Sequence, residues 1–245
     1  MNVRILGYSG GYPGAGIPTS GYLLSFNRTN ILIDCGSGVL CELIKYIPFE
    51  CLDAVIVTHL HHDHTSDLRV LRYALDMKSK NGQAIRPIPL YVPHNPASLF
   101  AEYDENALLP VSVIDERLVL SIAGATISFH PSVHSVECYG IRVEYNTSIF
   151  TYSSDSSLDI QSFSYLRDAD LAILDCGGLE KNEKTDKKHM SPGDCFRLFS
   201  EFGIKRVVLS HLIPYHDVSD TIAEASSFGD WPYEVAEMGR NYIME

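Results

Sequence analysis

The stretch THLHHDHTSD, residues 58–67, decides how this sequence is interpreted. It contains four histidines and an aspartate within six consecutive positions, from His59 to His64, although the whole chain has only 10 histidines. The stretch begins at the last residue of CLDAVIVT, residues 51–58, a short apolar run typical of a fully buried strand. A histidine-rich solvated loop is the alternative. Imidazole and carboxylate are ligands of zinc first, and of manganese or iron, so the stretch predicts a metal site.

The spacing within the stretch predicts which of its side chains point toward the same cation. In an extended chain, residues two apart point to the same side, so His59 and His61 are expected to converge on one cation. By the same rule the adjacent Asp63 and His64 are expected to diverge. This geometry favours two metal positions over one. His62 lies between the candidate ligands and is expected to face solvent.

Composition and charge limit the class of protein. The chain has 245 residues, of which 45% are hydrophobic and 20% charged, and no apolar run approaches the length of a transmembrane helix. The start, MNVRILGYSG, lacks the features of a signal peptide, so we expect a soluble, cytoplasmic protein that does not contact a membrane. The six cysteines show no CxxC spacing and are expected to be reduced and packed. A net charge of −12 argues against broad attraction to nucleic acid.

The order of apolar runs predicts one domain over residues 1–245, with two packed sheets and helices outside. Strands are expected at NVRIL, YLLSF, NILIDCG, CLDAVIVT, RLVLSI, ATISFH, CYGIRVEY, SIFTYSS, LAILDC, RVVLS, YEVAEM and NYIM, and extended structure at RPIPLYVPHNP. Helices are expected at 38–47, at LRVLRYALDM after a cap at Ser66 or Asp67, at 192–202 and near 219–227.

Two loops have alternative interpretations. The glycine-rich segment GYSGGYPGAGIPTSG follows the first strand, but no helix follows it directly and it contains no GK[ST]. We therefore expect it to lie close to an active site rather than to bind a cofactor. The run KNEKTDKK, residues 181–188, is expected to be a solvated loop, with contact to an anionic substrate as the alternative.

Three further candidate ligands stand where predicted strands run into loops: His134, Asp155 and His211. Taken singly, a histidine or aspartate at a strand end is more often exposed or hydrogen-bonded. Strand ends gather distant segments at one rim of a sheet, however, so these residues are the natural completion of the cluster at 59–64.

The sequence resembles the metallo-β-lactamase fold superfamily, and within it the short, armless relatives of ribonuclease Z. The resemblance is carried by HxHxDH at 59–64, a histidine before a YG-I strand, YSSD and LSH, and it extends from ILGYSGGYP to VAEMGRNYIM. It implies an α/β fold, a four-layer αββα sandwich of two mixed β-sheets with helices outside. It also implies two divalent metal ions, expected to be zinc with manganese or iron as alternatives. The implied ligands are His59, His61 and His134 for the first ion, Asp63, His64 and His211 for the second, and Asp155 bridging both.

The same resemblance implies a supporting role for Asp34, in LIDCG. The matching position in the family orients the ligands, and carboxylates commonly hold ligating histidine rings in this way. A carboxylate that only stabilises a turn is the alternative.

The segment HMSPGD, residues 189–194, predicts a helix start. Ser191 is the expected N-cap, Pro192 the first helical residue, and Asp194 the partner in a capping box. His189 would then lie beside the partial positive charge and free amides of a helix N-terminus. In enzymes similar to ribonuclease Z the matching histidine acts at the scissile phosphate, which makes His189 a candidate general acid or phosphate-binding group. A surface histidine near a cap is the alternative. His94, His130 and His216 are not expected to bind metal.

These features predict a hydrolase whose catalytic residues include Asp63 and His189. Two divalent ions, two carboxylates and a bridging hydroxide would leave a slightly positive site that attracts a small anionic ester. The substrate we expect is a small or modest phosphodiester, such as a cyclic nucleotide or nucleotide derivative, attacked by a metal-bridging hydroxide.

Other functions fit the same resemblance less well. One alternative is a tRNA 3′-processing endonuclease, which would make RNA a partner; another is a hydrolase of a lactone or thioester. The 21 positions from His134 to Asp155 leave no room for the arm that grips tRNA, and HLIPYHD lacks the usual Arg-Tyr pair. Flavo-diiron enzymes usually have Glu where His61 stands, together with a flavodoxin domain. A non-catalytic scaffold would have lost ligand residues. Relatives often dimerise, so a homodimer is a further expectation.

Overall fold

Fourteen β-strands account for the two sheets of the computed structural model, which describes residues 1–103, 107–180 and 188–245. The strands in chain order are β1 (Asn2–Gly7), β2 (Gly21–Phe26), β3 (Thr29–Ile33), β4 (Ala54–Ile56), β5 (Leu90–Val92), β6 (Val111–Val113), β7 (Val119–Ile122), β8 (Ala125–Pro131), β9 (Tyr139–Tyr145), β10 (Ser148–Tyr152), β11 (Leu171–Asp175), β12 (Val207–Ser210), β13 (Tyr233–Val235) and β14 (Asn241–Ile243).

Each sheet has seven strands and is mixed. The first has the order β14-β1-β2-β3-β4-β5-β6, antiparallel up to β3 and parallel from β3 to β6. The second has the order β13-β12-β11-β10-β9-β8-β7, parallel from β10 to β13 and antiparallel from β7 to β10. Parallel strands next to one another place several carboxyl ends at one rim of each sheet.

The helices flank these sheets. They are α1 (Val39–Leu43), α2 (His62–Thr65), α3 (Leu68–Lys80), α4 (Ala97–Phe100), α5 (Pro192–Phe202) and α6 (Val218–Ser227), with 3₁₀ helices at Phe49–Cys51 and Ile160–Leu166. No helix in the described ranges is both long enough and apolar enough to span a membrane.

Three hydrophobic cores confirm the predicted layers. The central core lies between the sheets, where Tyr22 and Ile33 of the first pack with Phe129 and Val208 of the second. A second core buries the outer face of the first sheet under α1 and α3, and a third buries the outer face of the second sheet under α5. The arrangement is the αββα sandwich of two mixed sheets. It also explains why AVI of β4, covered on both faces, is entirely apolar.

The predicted helix bounds and caps agree with the structure where neighbouring residues determine them. Helix α5 spans the predicted residues 192–202, and Ser191 and Asp194 form the predicted capping box. The helix predicted at 38–47 is shorter, because regular helix ends at Leu43. Asp67 occupies the N-cap position of α3, but its carboxylate accepts from the amide of Leu40 at 3.0 Å instead of capping its own helix. Most of the lysine-rich run, residues 181–187, lies outside the described residues.

Candidate metal centre

The candidate ligands come together at one rim, and they come from both sheets. His59 and His61 follow β4, Asp155 follows β10, and His211 follows β12 directly. His134 comes from the loop between β8 and β9. The seven residues that the sequence analysis assigned as ligands therefore lie in one cluster, in two groups that share Asp155.

A helical turn corrects one part of the geometry expected from the sequence. His59 and His61 lie in extended chain and converge as predicted, but α2 begins at His62. Asp63 and His64 therefore do not diverge. Nε2 of His64 lies 3.6 Å from Oδ2 of Asp63, and both residues belong to the same group. Adjacent residues of a helix point about 100° apart rather than 180°, so both can reach one cation. His62 is exposed, as predicted.

The first group contains His59, His61, His134 and Asp155, whose ligand atoms lie within 4.8 Å of one another. Nδ1 of His61 is 3.0 Å from Nε2 of His59 and 3.1 Å from Nε2 of His134. Burial lowers the pKa of all three histidines. Their rings are consequently held in the neutral form, which is the form that binds a cation.

The second group contains Asp63, His64, Asp155 and His211. Nε2 of His211 lies 3.2 Å from Oδ2 of Asp63 and 3.3 Å from Oδ2 of Asp155. Burial would raise the pKa of Asp155, but the neighbouring histidines, His211 first, hold it well below its usual range. Asp155 is therefore a carboxylate, with both oxygens turned toward histidine nitrogens.

The donors in this cluster fit a divalent cation. Nε2 of His64 and Oδ1 of Asp155 are fully buried and 3.3 Å apart, and neither makes a hydrogen bond of ordinary geometry. Buried polar atoms are normally satisfied, so two that face each other without a partner need an explanation. A cation held between them would supply it, since histidine nitrogen and carboxylate oxygen are the ligands that zinc, manganese and iron bind.

Asp34 supports the second group rather than only a turn. Its Oδ2 lies 2.7 Å from Nδ1 of His64 and accepts from the Tyr152 hydroxyl at 3.1 Å. Its Oδ1 accepts from the backbone amide of Thr58 at 2.8 Å. The contact with Nδ1 fixes the His64 ring so that Nε2 points into the cluster. Of the two roles left open by the sequence, the contact with His64 favours the supporting one.

His189 lies over the cluster, but its electrostatic partner differs from the predicted one. Its Nδ1 is 2.9 Å from Oδ2 of Asp175, and its ring is 4.9 Å from the ring of His211. Burial lowers the pKa of His189, but Asp175 and then Asp155 raise it, so the net shift is upward. At the N-terminus of α5, the Asp194 amide donates to the Ser191 hydroxyl at 3.2 Å in the capping box, and that hydroxyl donates to Glu180 at 3.1 Å.

Asp175 is the main residue that sequence reasoning missed. Besides His189, it accepts from the amides of Ser156 and Gly177, each at 3.0 Å, and its Oδ1 lies 3.4 Å from Nδ1 of His211. It ends β11, so the signal used for Asp155 and His211, an acid or histidine at a strand end, could have found it. Asp175 thus connects His189, His211 and the loop that begins after Asp155.

The glycine-rich loop after β1 also reaches the cluster, which confirms its expected position. The amide of Gly11 donates to Oδ2 of Asp63 at 2.8 Å. The amide of Gly10 donates to the carbonyl of Leu212, next to the ligand candidate His211, at 2.9 Å. A Cβ at Gly10 would lie 2.6 Å from the carbonyl oxygen of His211 and 2.8 Å from its Nδ1, so only glycine fits here.

The remaining histidines lie outside the metal-binding groups of the described residues, and four of the six cysteines are packed as predicted, whereas Cys41 and Cys51 are exposed. His94, His130 and His216 belong to none of the metal-binding groups. His130 instead stacks on Tyr165 with centroids 4.4 Å apart. All six cysteines are free thiols, and none belongs to a metal-binding group.

We expect Gly10→Ala to weaken cation binding by about 10–100-fold, the usual effect of disturbing the surroundings of a ligand. The added methyl group must displace either the loop or His211. Gly14→Ala is the matched control, because its Cβ would meet Ile17 at an ordinary 3.5 Å. Zinc affinity of each variant, measured by competition with a chromogenic chelator, tests this expectation. Equal affinity of Gly10→Ala and wild type would show that the loop does not constrain His211.

Comparison with known proteins agrees with the motif and the fold. The chain matches the Beta-lactamase superfamily domain over residues 29–212. It is 31% identical over 240 residues to the probable metallo-hydrolase YhfI of Bacillus subtilis, and the match covers 98% of each chain. The crystal structure of YhfI has a TM-score of 0.90 to this fold, with 98% of each chain covered and 29% identity.

Two more distant structures share the fold. A diphosphatase of the PhnP family is 19% identical with a TM-score of 0.78, covering 100% of this chain and 98% of that one. The short form of human tRNase Z is 18% identical with a TM-score of 0.78, covering 100% of both chains. The domain match and the similarity to YhfI across almost the whole chain show that this protein belongs to the metallo-β-lactamase superfamily and is a metallo-hydrolase.

Proposed function

We propose that this metallo-hydrolase is a phosphodiesterase that binds two divalent cations and cleaves a small or modest phosphodiester, such as a cyclic nucleotide or nucleotide derivative. One observation carries the proposal: the buried carboxylate of Asp155 belongs to both donor groups, so two cations held there would be neighbours. The first would be held by His59, His61 and His134, and the second by Asp63, His64 and His211. Zinc suits these donors first, with manganese or iron as alternatives.

Neighbouring divalent cations lower the pKa of bound water and stabilise negative charge on phosphoryl oxygens, which is the chemistry that phosphodiester hydrolysis needs. The chain's own residues supply orientation and proton transfer. Gly11 donates to Asp63, which fixes that carboxylate beside His211. Asp34 holds the ring of His64 in the same way.

His189 is the proposed general acid. Asp175 occupies its Nδ1, so Nε2 is the atom left to give a proton to the leaving oxygen or to bind a phosphoryl oxygen. The raised pKa of His189 favours the protonated ring that this role requires. With 23% of its side chain exposed, His189 is buried enough to be oriented and open enough to meet a substrate.

The surroundings of the cluster support a small substrate. The segment from His134 to Asp155 consists of β9, β10 and the tight turn between them, with Tyr145 paired to Ser148. That hairpin offers no extended arm for a large RNA. The net charge of −12 also opposes a polyanion that spreads beyond the cluster.

tRNA 3′ processing is the second candidate function. The similarity of fold to the short form of human tRNase Z favours it. Diphosphatases of the PhnP family share the fold equally well, so fold similarity alone does not choose between the two.

The first experiment is a substrate panel for the zinc- or manganese-loaded protein. It contains 2′,3′- and 3′,5′-cyclic nucleotides, a generic phosphodiester, a 3′-extended tRNA precursor, a lactone and a thioester. We expect the small diesters to be cleaved, Asp63→Ala to lose at least about 100-fold in kcat because it removes a cation ligand, and His62→Ala to retain activity. His62 is the matched control because it lies in the same segment but faces solvent.

Other outcomes of the panel would be equally clear. Efficient cleavage of the tRNA precursor at its 3′ trailer, without cleavage of small diesters, would replace the proposal with tRNA processing. Turnover of only the lactone or thioester would remove phosphodiesters from the proposal altogether.

Asp175→Asn tests the pairing with His189. We expect it to lower kcat by about 10–100-fold, because the amide no longer stabilises the protonated ring, while His189→Ala costs about 10²–10⁴-fold. The kcat of the double variant should lie within a few-fold of the kcat of His189→Ala, because Asp175 acts through His189. Asp170→Asn is the control, because Asp170 lies just before the opposite end of β11 and pairs with Lys205.

Independent effects of the Asp175→Asn and His189→Ala substitutions on kcat would contradict the pairing. If the double variant lost the product of both single losses, Asp175 would act somewhere other than on His189. Metal content must be measured for each variant, because Asp175 also lies 3.4 Å from His211.

Cation loading should depend on pH in two steps. Burial opposes protonation of His211, but Asp155 and the other carboxylates raise its pKa to about 10, and the pKa of His64 is raised as well. A cation in the second group must therefore displace protons, so its affinity rises with pH. The first group, with its lowered histidine pKa values, needs no such displacement.

We therefore expect zinc stoichiometry at a fixed free zinc concentration to fall from two toward one as pH is lowered from about 8 to 6. Equilibrium dialysis with atomic emission detection gives the stoichiometry. His134→Ala should remove the ion that remains at low pH. A simultaneous loss of both ions would show that the two groups load as one unit.

A further inference from the structure

Two exposed tyrosines stand on the loops that contact the cluster, and the mechanism above does not use them. Tyr12 is 49% exposed and directly follows Gly11, whose amide lies 2.8 Å from Asp63. Tyr215 is 69% exposed and comes four residues after His211. Both are large, exposed aromatic side chains on loops whose backbones contact the cluster or carry one of its candidate ligands.

The backbones that carry these tyrosines are fixed. Tyr12 donates its amide to Gly10 at 2.9 Å and accepts from the Ser9 hydroxyl at 2.7 Å. A turn in which the amide of His216 donates to Ile213 at 2.9 Å contains Tyr215. The ring of His216 also contacts the ring of Tyr215, edge to face, with centroids 4.6 Å apart.

The two loops form one hydrogen-bonded unit. Gly10 donates to the carbonyl of Leu212, and Leu212 donates to the carbonyl of Tyr8, each at 2.9 Å. Ser9 and Leu212 also form an isolated β-bridge. Tyr12 and Tyr215 therefore belong to one hydrogen-bonded unit, which we call the tyrosine rim. It is attached to the cluster through the bond from Gly11 to Asp63 and through His211.

We propose that the tyrosine rim binds the nucleobase of the substrate by stacking, which makes nucleoside phosphodiesters the substrate class. This inference rests on the proposed phosphodiesterase function. A base is separated from the reacting phosphate by one ribose, so a nucleotide whose phosphate lies at the cluster extends its base to the adjoining rim. Tyrosine is suited to this contact, because it offers a rigid aromatic face with few rotatable bonds. Each base has a π-face, so the rim favours nucleosides without selecting one base strongly.

The test separates recognition of the base from catalysis. Binding of adenosine 5′-monophosphate and of ribose 5-phosphate to the metal-loaded protein is measured by calorimetry, with no turnover required. Tyr12→Ala and Tyr215→Ala are each expected to weaken binding of the nucleotide by roughly 5–150-fold, the usual cost of losing one stacking contact, and to leave ribose 5-phosphate unaffected. Tyr12→Phe should retain the wild-type affinity, because it keeps the ring.

Tyr73→Ala is the matched control. Tyr73 is 67% exposed, like Tyr215, but lies on the solvent face of α3. In steady-state assays with 3′,5′-cyclic AMP, the rim variants should raise KM with little change in kcat, and Tyr73→Ala should change neither.

The failures of the two proposals can be told apart. Hydrolysis of cyclic AMP with an unchanged KM in both rim variants would overturn the tyrosine rim and leave the phosphodiesterase in place. Nucleotide binding that depends on Tyr12, in a protein that cleaves no diester, would support the rim and overturn the phosphodiesterase. Equal wild-type affinity for the nucleotide and for ribose 5-phosphate would overturn the rim directly.

Discussion

The carboxylate of Asp155 holds this structure together at its functional end. Four histidine nitrogens lie 3.3 to 3.7 Å from its oxygens, those of His59 and His64 after β4 and those of His134 and His211 from the second sheet. A buried charge is costly unless it is compensated, so none of these elements can move away from the others without exposing an unpaired group. The same contacts that join the two sheets create the paired donor groups.

Backbone conformation at the strand ends shows how the cluster is built. Asp34, Ser154 and His211 have positive φ values of 57°, 54° and 56°. Each stands just beyond the end of a strand, where a residue in the left-handed conformation turns the chain. At Asp34 and His211 the turn orients the residue's own side chain, and at Ser154 it orients the side chain of the next residue, Asp155. Such conformations cost about 1–3 kcal/mol each and persist only where surrounding contacts over-determine them. Here hydrogen bonds to Asp34 and contacts of His211 with three carboxylates provide that compensation.

Much of this could be predicted from the sequence, because the decisive signals are local. The buried strand before His59, the capping box at Ser191 and the convergence of His59 with His61 depend on neighbouring residues, and the structure confirms all three. The helical turn at His62–Thr65 was missed because a strand-like pattern and a single helical turn look alike over four residues. The contacts of Asp175 with His189 and of Glu180 with Ser191 join residues in different elements, which periodicity does not reveal, although the strand-end signal could have found Asp175 itself.

The proposed preference for a small substrate follows from the contrast between the acidic chain and a cluster of cation ligands. Charges separated by more than about 8–10 Å are screened at physiological ionic strength, so a substrate responds mainly to the charges beside it. Under the proposed function, a cyclic nucleotide would carry its single negative charge to the two cations and present only a neutral ribose and base to the rest of the surface. A long polyanion would also meet a chain of net charge −12, with only a tight hairpin between His134 and Asp155 to contact it. Local attraction with wider repulsion therefore favours substrates whose charge is confined to the reacting group.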